Sequence, residues 1–239
     1  ESLTEELFNN NQTIYTLAQI QIHNNLRTRW KSEFKEEEPI YWSPEIQENI
    51  AFTLLEASFS APNQQRPHFI ASVKFIIHHS FPFVCGVIER LIEIYSQNST
   101  DVFCTNTYLQ IAIAFSEDTA NRLPSIGNEL DDELLEEIER INSVILASVI
   151  QIIPNCIGLI TQSEEACVII YYSVKAIRYA ILHVDEILSD QAFLQALQQI
   201  FEIILFNSSD EPILKIKIQI YKMIVYLNST FLCSKMKIK

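Results

Sequence analysis

Apolar residues recur every three or four positions along most of this chain, a spacing that is typical of helices with one buried face. The stretch SPEIQENIAFTLLEAS shows the pattern. Ser43 is expected to cap a helix and Pro44 to take its first position. The predicted buried stripe of this helix comprises Ile46, Ile50, Leu54 and Ala57. Its opposite face is polar, so one face is expected to pack and the other to meet solvent.

The same periodicity predicts ten helical segments, which pair as antiparallel hairpins. They cover residues 2–9, 12–31, 44–60, 64–79, 82–97, 101–116, 129–153, 164–182, 187–206 and 211–231. Two long polar segments that contain proline, residues 31–42 and 116–129, are predicted to be loops. In segment 82–97, the expected buried side comprises Val84, Val87, Ile88, Leu91 and Tyr95.

The order of these helices indicates a repeat array. Every second helix is predicted to begin near residue 12, 64, 101, 164 or 211, a spacing that brackets the roughly 40 to 47 residues of known helical-hairpin repeats. Strongly apolar helices follow one another without a long crossover, which favours an array over a closed bundle. We therefore predict an all-α fold, a HEAT/armadillo-like solenoid of about five hairpins over residues 1–239, wound as a right-handed superhelix.

Composition supports the helical class and narrows the compartment. Hydrophobic residues make up 48% of the 239 residues and only three residues are glycine, which disfavours hairpin-rich folds and phosphate-cradling loops. The five cysteines are widely spaced and odd in number. This usage indicates reduced thiols in the cytoplasm or nucleus.

Net charge selects among partners. The formal net charge of −13 repels the phosphates of nucleic acids and of lipid head groups, and it favours basic protein partners. The longest apolar runs, such as Ile111 to Phe115, are far shorter than the roughly 20 residues that cross a bilayer. We expect no direct nucleic-acid binding and no membrane insertion.

Two clusters resemble metal sites, and each has a simpler structural explanation. His78, His79 and Cys85 lie close in sequence, but adjacent helical residues point about 100° apart, and zinc needs three or four converging ligands. Because Phe81 and Pro82 end one apolar helix and begin the next, the stretch is interpreted as the corner of a hairpin. No metal ligand is predicted there.

The second cluster is the acidic stretch NELDDELLEE, residues 128–137, whose Asp131, Asp132 and Glu136 resemble the magnesium-binding carboxylates of prenyl-transferring enzymes. Such chemistry needs a second carboxylate cluster on a facing helix, and the chain offers none. The alternative is a helix capped by Asn128, with acidic residues in its first turn. Its predicted core stripe comprises Leu130, Leu134, Leu135, Ile138 and Ile141.

Motifs for covalent catalysis are missing as well. The sequence has no G-x-S-x-G elbow, no glycine-rich phosphate loop and no cysteine–histidine arrangement that spacing supports. The chain is therefore expected not to be an enzyme, with no catalytic, cofactor-binding or metal-binding residues.

Three segments carry a family resemblance. IQIHNNLRTRW (Ile20 to Trp30) is similar to a helix I-x-L-K-N-x-I-x-x-x-W, and IQENIAFTLLEASFSAPNQQR (Ile46 to Arg66) is similar to I-R-x-N-I-x-x-x-I followed by P-x-x-x-R. IIHHSFPFVC (Ile76 to Cys85) matches a turn I-x-x-x-D-[FY]-P-x-x-W. In this order they resemble the N-terminal region of the importin-beta (karyopherin-beta) family, over residues 20–97. The chain departs from the family pattern at Asn24, Ser80 and Cys85, where Lys, Asp and Trp are usual.

The resemblance implies a nucleocytoplasmic transport receptor with no cofactor. Such a receptor binds the GTP form of the small GTPase Ran through the concave side of its first repeats, and basic protein cargo or an adaptor further along. Nucleoporin repeats are further implied partners, and the implied location is cytoplasm and nucleus. The chain would then begin at the end of a first repeat and belong to a receptor of roughly twenty repeats.

Acidic residues on the second helices of the first hairpins are the expected contact surface, because in a solenoid such helices line the concave wall. The predicted partner-binding residues are Glu45, Glu48, Asn49, Glu56, Glu89, Arg90 and Glu93. For any one of them, a solvated face that maintains solubility is the alternative. For the whole chain, the alternatives are a HEAT-repeat scaffold of a cytosolic complex unrelated to transport and, third, a helical metal-dependent enzyme.

Overall fold

A computed structural model describes the backbone of residues 2–30, 41–80, 84–126, 131–181, 190–205, 208 and 210–236. The side chains it describes are those of residues 14, 17–30, 41–80, 84–123, 131–181, 190–205, 208 and 210–228. Within these ranges the regular structure is entirely helical, with no strand. The all-α prediction is confirmed for this part of the chain.

The helices are long and follow one another closely. They are α1 (Ser2–Arg29), α2 (Pro44–Ser60), α3 (Arg66–His79), α4 (Val84–Gln97), α5 (Val102–Ile126), α6 (Asp132–Ile157), α7 (Glu164–Ala180), α8 (Gln191–Glu202) and α9 (Glu211–Met236). A short 3₁₀ turn, Ile203–Leu205, extends α8.

Several predicted boundaries were wrong, each because a polar stretch continues a helix. Segments 2–9 and 12–31 form the single helix α1, since the intervening asparagines weaken a helix without breaking it. Helix α5 runs to Ile126, through most of the loop predicted at 116–129. Ser116 and Thr119 within it are buried. The Ser116 hydroxyl donates a hydrogen bond to Asn142 Oδ1, and the Thr119 hydroxyl donates one to the backbone carbonyl of Ser116.

Side-chain caps fix the starts of several helices. Ser43 caps α2 with Pro44 after it, as predicted, and its hydroxyl accepts a hydrogen bond from the amide of Ile46. The cap of α6 is Asp131, whose Oδ1 accepts a hydrogen bond of 2.8 Å from the amide of Leu134. The prediction of Asn128 as the cap was therefore wrong, because Asp131 is the residue placed three positions before a free helical N–H. Asn128 and Leu130 themselves lie outside the described residues.

The chain divides into two compact units, Glu1–Val87 and Ile88–Lys239, with the boundary inside α4. In unit 1, α2 packs along α3, and α1 also contacts α3. Fully buried side chains of this unit include Leu26, Leu55, Val73, Ile76 and Ile77. The buried Trp30 indole N–H donates a hydrogen bond to the buried hydroxyl of Ser80. This bond joins the tryptophan of the family pattern to a position where the chain departs from that pattern.

Unit 2 consists of helices packed in layers. Helix α7 packs against both α5 and α9, while α6 packs against α7 and α8. Tyr95 of α4 stacks on Tyr108 of α5 with ring centres 4.1 Å apart. Packing of every second helix within one layer is what a repeat array requires, so the unit is compatible with a helical-hairpin solenoid. The superhelical winding and the single solenoid over residues 1–239 stay predictions.

One helix bears on the membrane question. Among the described residues, Asp132–Ile157 is long and apolar enough by length and composition to span a membrane, a test that core helices of soluble proteins also pass. Its buried side includes Ile138, Ile141 and the polar Asn142, whose amide group donates a hydrogen bond to the Ile138 carbonyl. The expectation of no membrane insertion stays a prediction.

Candidate protein-binding surfaces

The four predicted contact residues of α2 are all exposed. Glu45, Glu48, Asn49 and Glu56 occupy its solvent side, while its buried side comprises Gln47, Ala51, Leu54, Leu55 and Ser58. This buried side differs from the predicted stripe. Ile46 is 46% exposed and Ile50 is only half-buried, because the packed face of α2 is rotated toward α3.

The rotation of α2 leaves an apolar groove beside its acidic residues. The groove has a volume of about 340 Å³ and is lined by Ile22, Asn25, Leu26, Trp42, Ile46, Asn49, Ile50, Thr53 and Leu54. Two hydrogen bonds of its backbone hold Trp42 in place. Its amide donates to the carbonyl of Arg29 at 3.0 Å, and its carbonyl accepts from the Gln47 side chain at 3.0 Å. Of the predicted contact residues, Asn49 lines this groove.

Sequence reasoning missed the groove because it assigned Ile46 and Ile50 to the core. The signal that could have found it is Trp42, a large apolar residue placed just before the Ser43 cap. The fourth position of α2 is the polar Gln47, so Trp42 does not form a hydrophobic staple with it and lines the groove.

The predicted contact residues of α4 have a different environment. Glu89 forms an ion pair with Arg140 of α6, and Glu93 forms one of 3.0 Å with Arg90. All four side chains are at least 42% exposed, so each pair contributes little to stability. Each arginine nevertheless compensates the charge of one glutamate. The negative charge predicted on α4 is therefore largely neutralised by arginines of unit 2. The acidic residues of α2 belong to unit 1.

Two residues of the metal-like clusters, His79 and Asp131, have structural roles. The His79 ring stacks on Phe75 with centres 4.0 Å apart, and its Nδ1 donates to the Phe75 carbonyl at 2.7 Å. Cys85 is buried and His78 is exposed. Asp131 caps α6. Among the described residues, no group of three histidine, cysteine or acidic side chains could hold a metal ion. Phe81 and Pro82 lie outside those residues.

A cluster of tyrosines around one arginine joins three helices of unit 2. The guanidinium carbon of Arg178 on α7 lies 4.9 Å from the ring centre of Tyr179 and 5.1 Å from that of Tyr226 on α9. The Tyr179 hydroxyl donates a hydrogen bond of 2.8 Å to Glu117 on α5. Burial, followed by the neighbouring Glu117 carboxylate, raises the pKa of Tyr179 to about 12.

A second groove lies against this cluster. It has a volume of about 420 Å³ and is lined by Arg178, Ile218, Tyr221, Lys222, Val225 and Tyr226. Sequence reasoning did not single out any of these residues. The available signal was the pattern of α9, in which apolar residues occupy more than one face of the helix.

Comparison with known proteins adds no relative. No protein-family model, no curated protein and no solved structure matches the chain.

Proposed function

We propose that this chain is a protein-binding, helical-repeat region of an importin-beta-like nuclear transport receptor, acting in cytoplasm and nucleus. Its partners would be the GTP form of Ran and basic protein cargo or an adaptor, with nucleoporin repeats as further partners. The observation that carries the proposal is the acidic side of α2, where Glu45 and Glu48 are exposed beside an apolar groove. The resemblance over residues 20–97 supplies the identity of the partners.

The physical basis is complementarity with a basic surface. Exposed carboxylates on α2 attract basic partners and orient them during encounter, while an apolar anchor that enters the groove lined by Trp42 and Ile50 adds buried area. Glu89 and Glu93 would contribute less than the α2 glutamates, because each is already paired with an arginine. Release would follow from exchange of one partner for another, coupled through packed helices. No covalent step or cofactor is required.

A binding assay with the intact chain and Ran loaded with GTP or GDP tests the proposal. We expect retention of Ran·GTP and not of Ran·GDP. The double variant Glu45→Lys/Glu48→Lys should weaken the interaction about tenfold or more, since about 1.4 kcal/mol of lost attraction has that effect. The matched control is Glu133→Lys/Glu136→Lys, which makes the same charge change at exposed positions of α6.

The outcomes separate the proposals. Equal binding of the two nucleotide forms, or no binding of either, would overturn the transport proposal. If both double variants weaken Ran binding equally, the glutamates of α2 act only through the net charge of the protein and not through a specific contact.

A scaffold of a cytosolic complex unrelated to transport is the second candidate. Exposed apolar residues at Leu194, Phe201 and Leu205, beside a groove of about 500 Å³ on α8, favour it, since such patches mark protein contacts. Partner binding that does not depend on any guanine nucleotide would support the scaffold.

A further inference from the structure

Helix α9 is apolar on two opposite faces. The face that packs into unit 2 carries Ile213, Ile216, Ile220 and Met223, each at most 3% exposed. A second stripe carries Leu214, Ile218, Tyr221 and Val225, which are 42%, 52%, 54% and 68% exposed. At about 100° per residue, the centres of the two stripes lie about 150° apart around the helix. A helix with apolar residues on both sides is ordinarily covered on both sides.

Cations border the exposed stripe. Lys222 and Lys215 lie along one edge and Lys217 along the other. Lys215 forms an ion pair of 2.7 Å with Glu211, which raises the pKa of Lys215 through the hydrogen bond and the charge of that carboxylate. Glu211 compensates the charge of Lys215, so in a chain with a net charge of −13 the positive edge of the stripe depends on Lys222, which is exposed. This edge therefore selects a partner that the rest of the surface repels.

Arg178 adds a directional donor to the same surface. It lines the groove with Ile218 and Lys222, and its Nε atom is buried without a hydrogen-bond partner in the described part of the chain. Its guanidinium carbon lies about 5 Å from both tyrosine ring centres, a cation–π contact that holds the cation beside the groove. The Glu117 carboxylate on α5 accepts the hydrogen bond of Tyr179. Because Arg178 lines the groove, the guanidinium atoms that face the groove can pair with a carboxylate from outside.

We propose that the outer face of α9 binds an acidic amphipathic helix of a partner protein. The apolar side of that helix would pack on Leu214, Ile218, Tyr221 and Val225, a stripe about 16 Å long, or three helical turns. Its carboxylates would pair with Arg178 and Lys222. The spacing of the stripe at three and four residues is that of a helix packing ridge, which is why the occupant is a helix. The surface and its charge preference are distinct from the α2 surface proposed for basic partners.

Calorimetric titration of the intact chain with three synthetic helical peptides tests the proposal. The peptides share a leucine stripe at the spacing i, i+4, i+7, i+11 and differ only in their polar face, which is glutamate, lysine or glutamine. We expect the glutamate peptide to bind at least tenfold more tightly than the lysine peptide, with the glutamine peptide between them. Equal affinities, or no binding of the glutamate peptide, would overturn the proposal.

Variants locate the binding to α9. Val225→Glu and Ile218→Glu should each lower the affinity for the glutamate peptide about tenfold or more, because they place a like charge in an apolar contact. Ile14→Glu on α1 is the matched control, since Ile14 is 62% exposed, and it should leave the affinity unchanged. Unchanged binding by both α9 variants would overturn the proposal.

The charged residues give an independent test. Lys222→Glu, at an exposed position, should reduce or reverse the preference for the glutamate peptide, as should Arg178→Glu where circular dichroism shows the native helical content. A second copy of the chain is the competing occupant. If sedimentation shows self-association that Val225→Glu abolishes and the glutamate peptide does not displace, the face is a homodimer contact and the proposal fails.

Discussion

The pKa of the Tyr179 hydroxyl depends on contacts that only the folded protein makes. Tyr179 is 8% exposed and bonds to Glu117, which lies 62 residues earlier in the chain. Burial disfavours the charged phenolate, and the neighbouring carboxylate disfavours it further. Both effects favour the neutral tyrosine in the folded state, so the folded protein holds this proton more tightly than the unfolded chain does.

The stability of the protein should therefore depend on Tyr179 at high pH. The stabilisation is complete below the ordinary pKa of 10.0 and is lost as the pH rises from about 10 to about 12, because the unfolded tyrosine ionises first. We expect Tyr179→Phe to flatten the loss of unfolding free energy over this range. The measurement is urea denaturation at a series of pH values. Identical slopes for the two proteins would contradict the assignment.

Buried polar residues are the residues that the sequence pattern predicts least well. Ser116 and Asn142 are fully buried and bond to each other at 2.8 Å, although they are 26 residues apart. In the sequence, Ser116 opens a polar stretch that is typical of a loop. Only the partner on another helix shows that its hydroxyl is satisfied inside the protein, and no local pattern contains that partner.

Among the elements, α6 offers the clearest test of a local rule. We expect Asp131→Ala to cost about 1 kcal/mol of unfolding free energy, because the amide of Leu134 loses its acceptor. Asp131→Asn should retain most of the stability, since asparagine caps equally well. Urea denaturation followed by circular dichroism measures both. An equal loss in the two variants would show that the charge of Asp131, and not its capping bond, stabilises α6.

Helices α2 and α4 show why element positions were easier to predict than faces. Both helices were expected near their observed bounds, because Ser43, Pro44 and an unbroken apolar period mark α2. The buried stripe of α4 was correct, since Val84, Val87 and Leu91 occur on one side only. On α2, apolar residues cover a wide arc, and the part that packs is selected by the position of α3. Sequence periodicity cannot make that selection.

At the scale of the molecule, α7 is the helix around which unit 2 is built, because it packs against α5, α6 and α9. Ile177 on α7 is fully buried. We expect Ile177→Ala to lower the unfolding free energy by about 2 to 5 kcal/mol, through lost burial and the cavity it leaves. Lys175→Ala, at a half-buried neighbouring position, is the control and should change it far less. A loss below 1 kcal/mol in urea denaturation would contradict a central role for α7.

The predicted surface could be located from the sequence only in part. The exposure of Glu45, Glu48, Asn49 and Glu56 follows from the helical period and is observed. The neutralisation of Glu89 does not follow from the helical period, since its partner Arg140 lies 51 residues away in the sequence. Charge counted along one helix overlooks cations supplied by another, so the sequence overstated the acidity of α4.

The burial of the Trp30 indole beside Ser80 has a spectroscopic consequence. The chain has two tryptophans, Trp30 and Trp42, and both belong to unit 1. Tryptophan emission will therefore follow the unfolding of residues 1–87, and exposure of the buried Trp30 indole to water should shift it to longer wavelength. The tyrosine pair Tyr95 and Tyr108 lies in unit 2. Tryptophan emission thus reports on unit 1 without any label, whereas the tyrosine signal comes from both units, since Tyr15 and Tyr41 belong to unit 1.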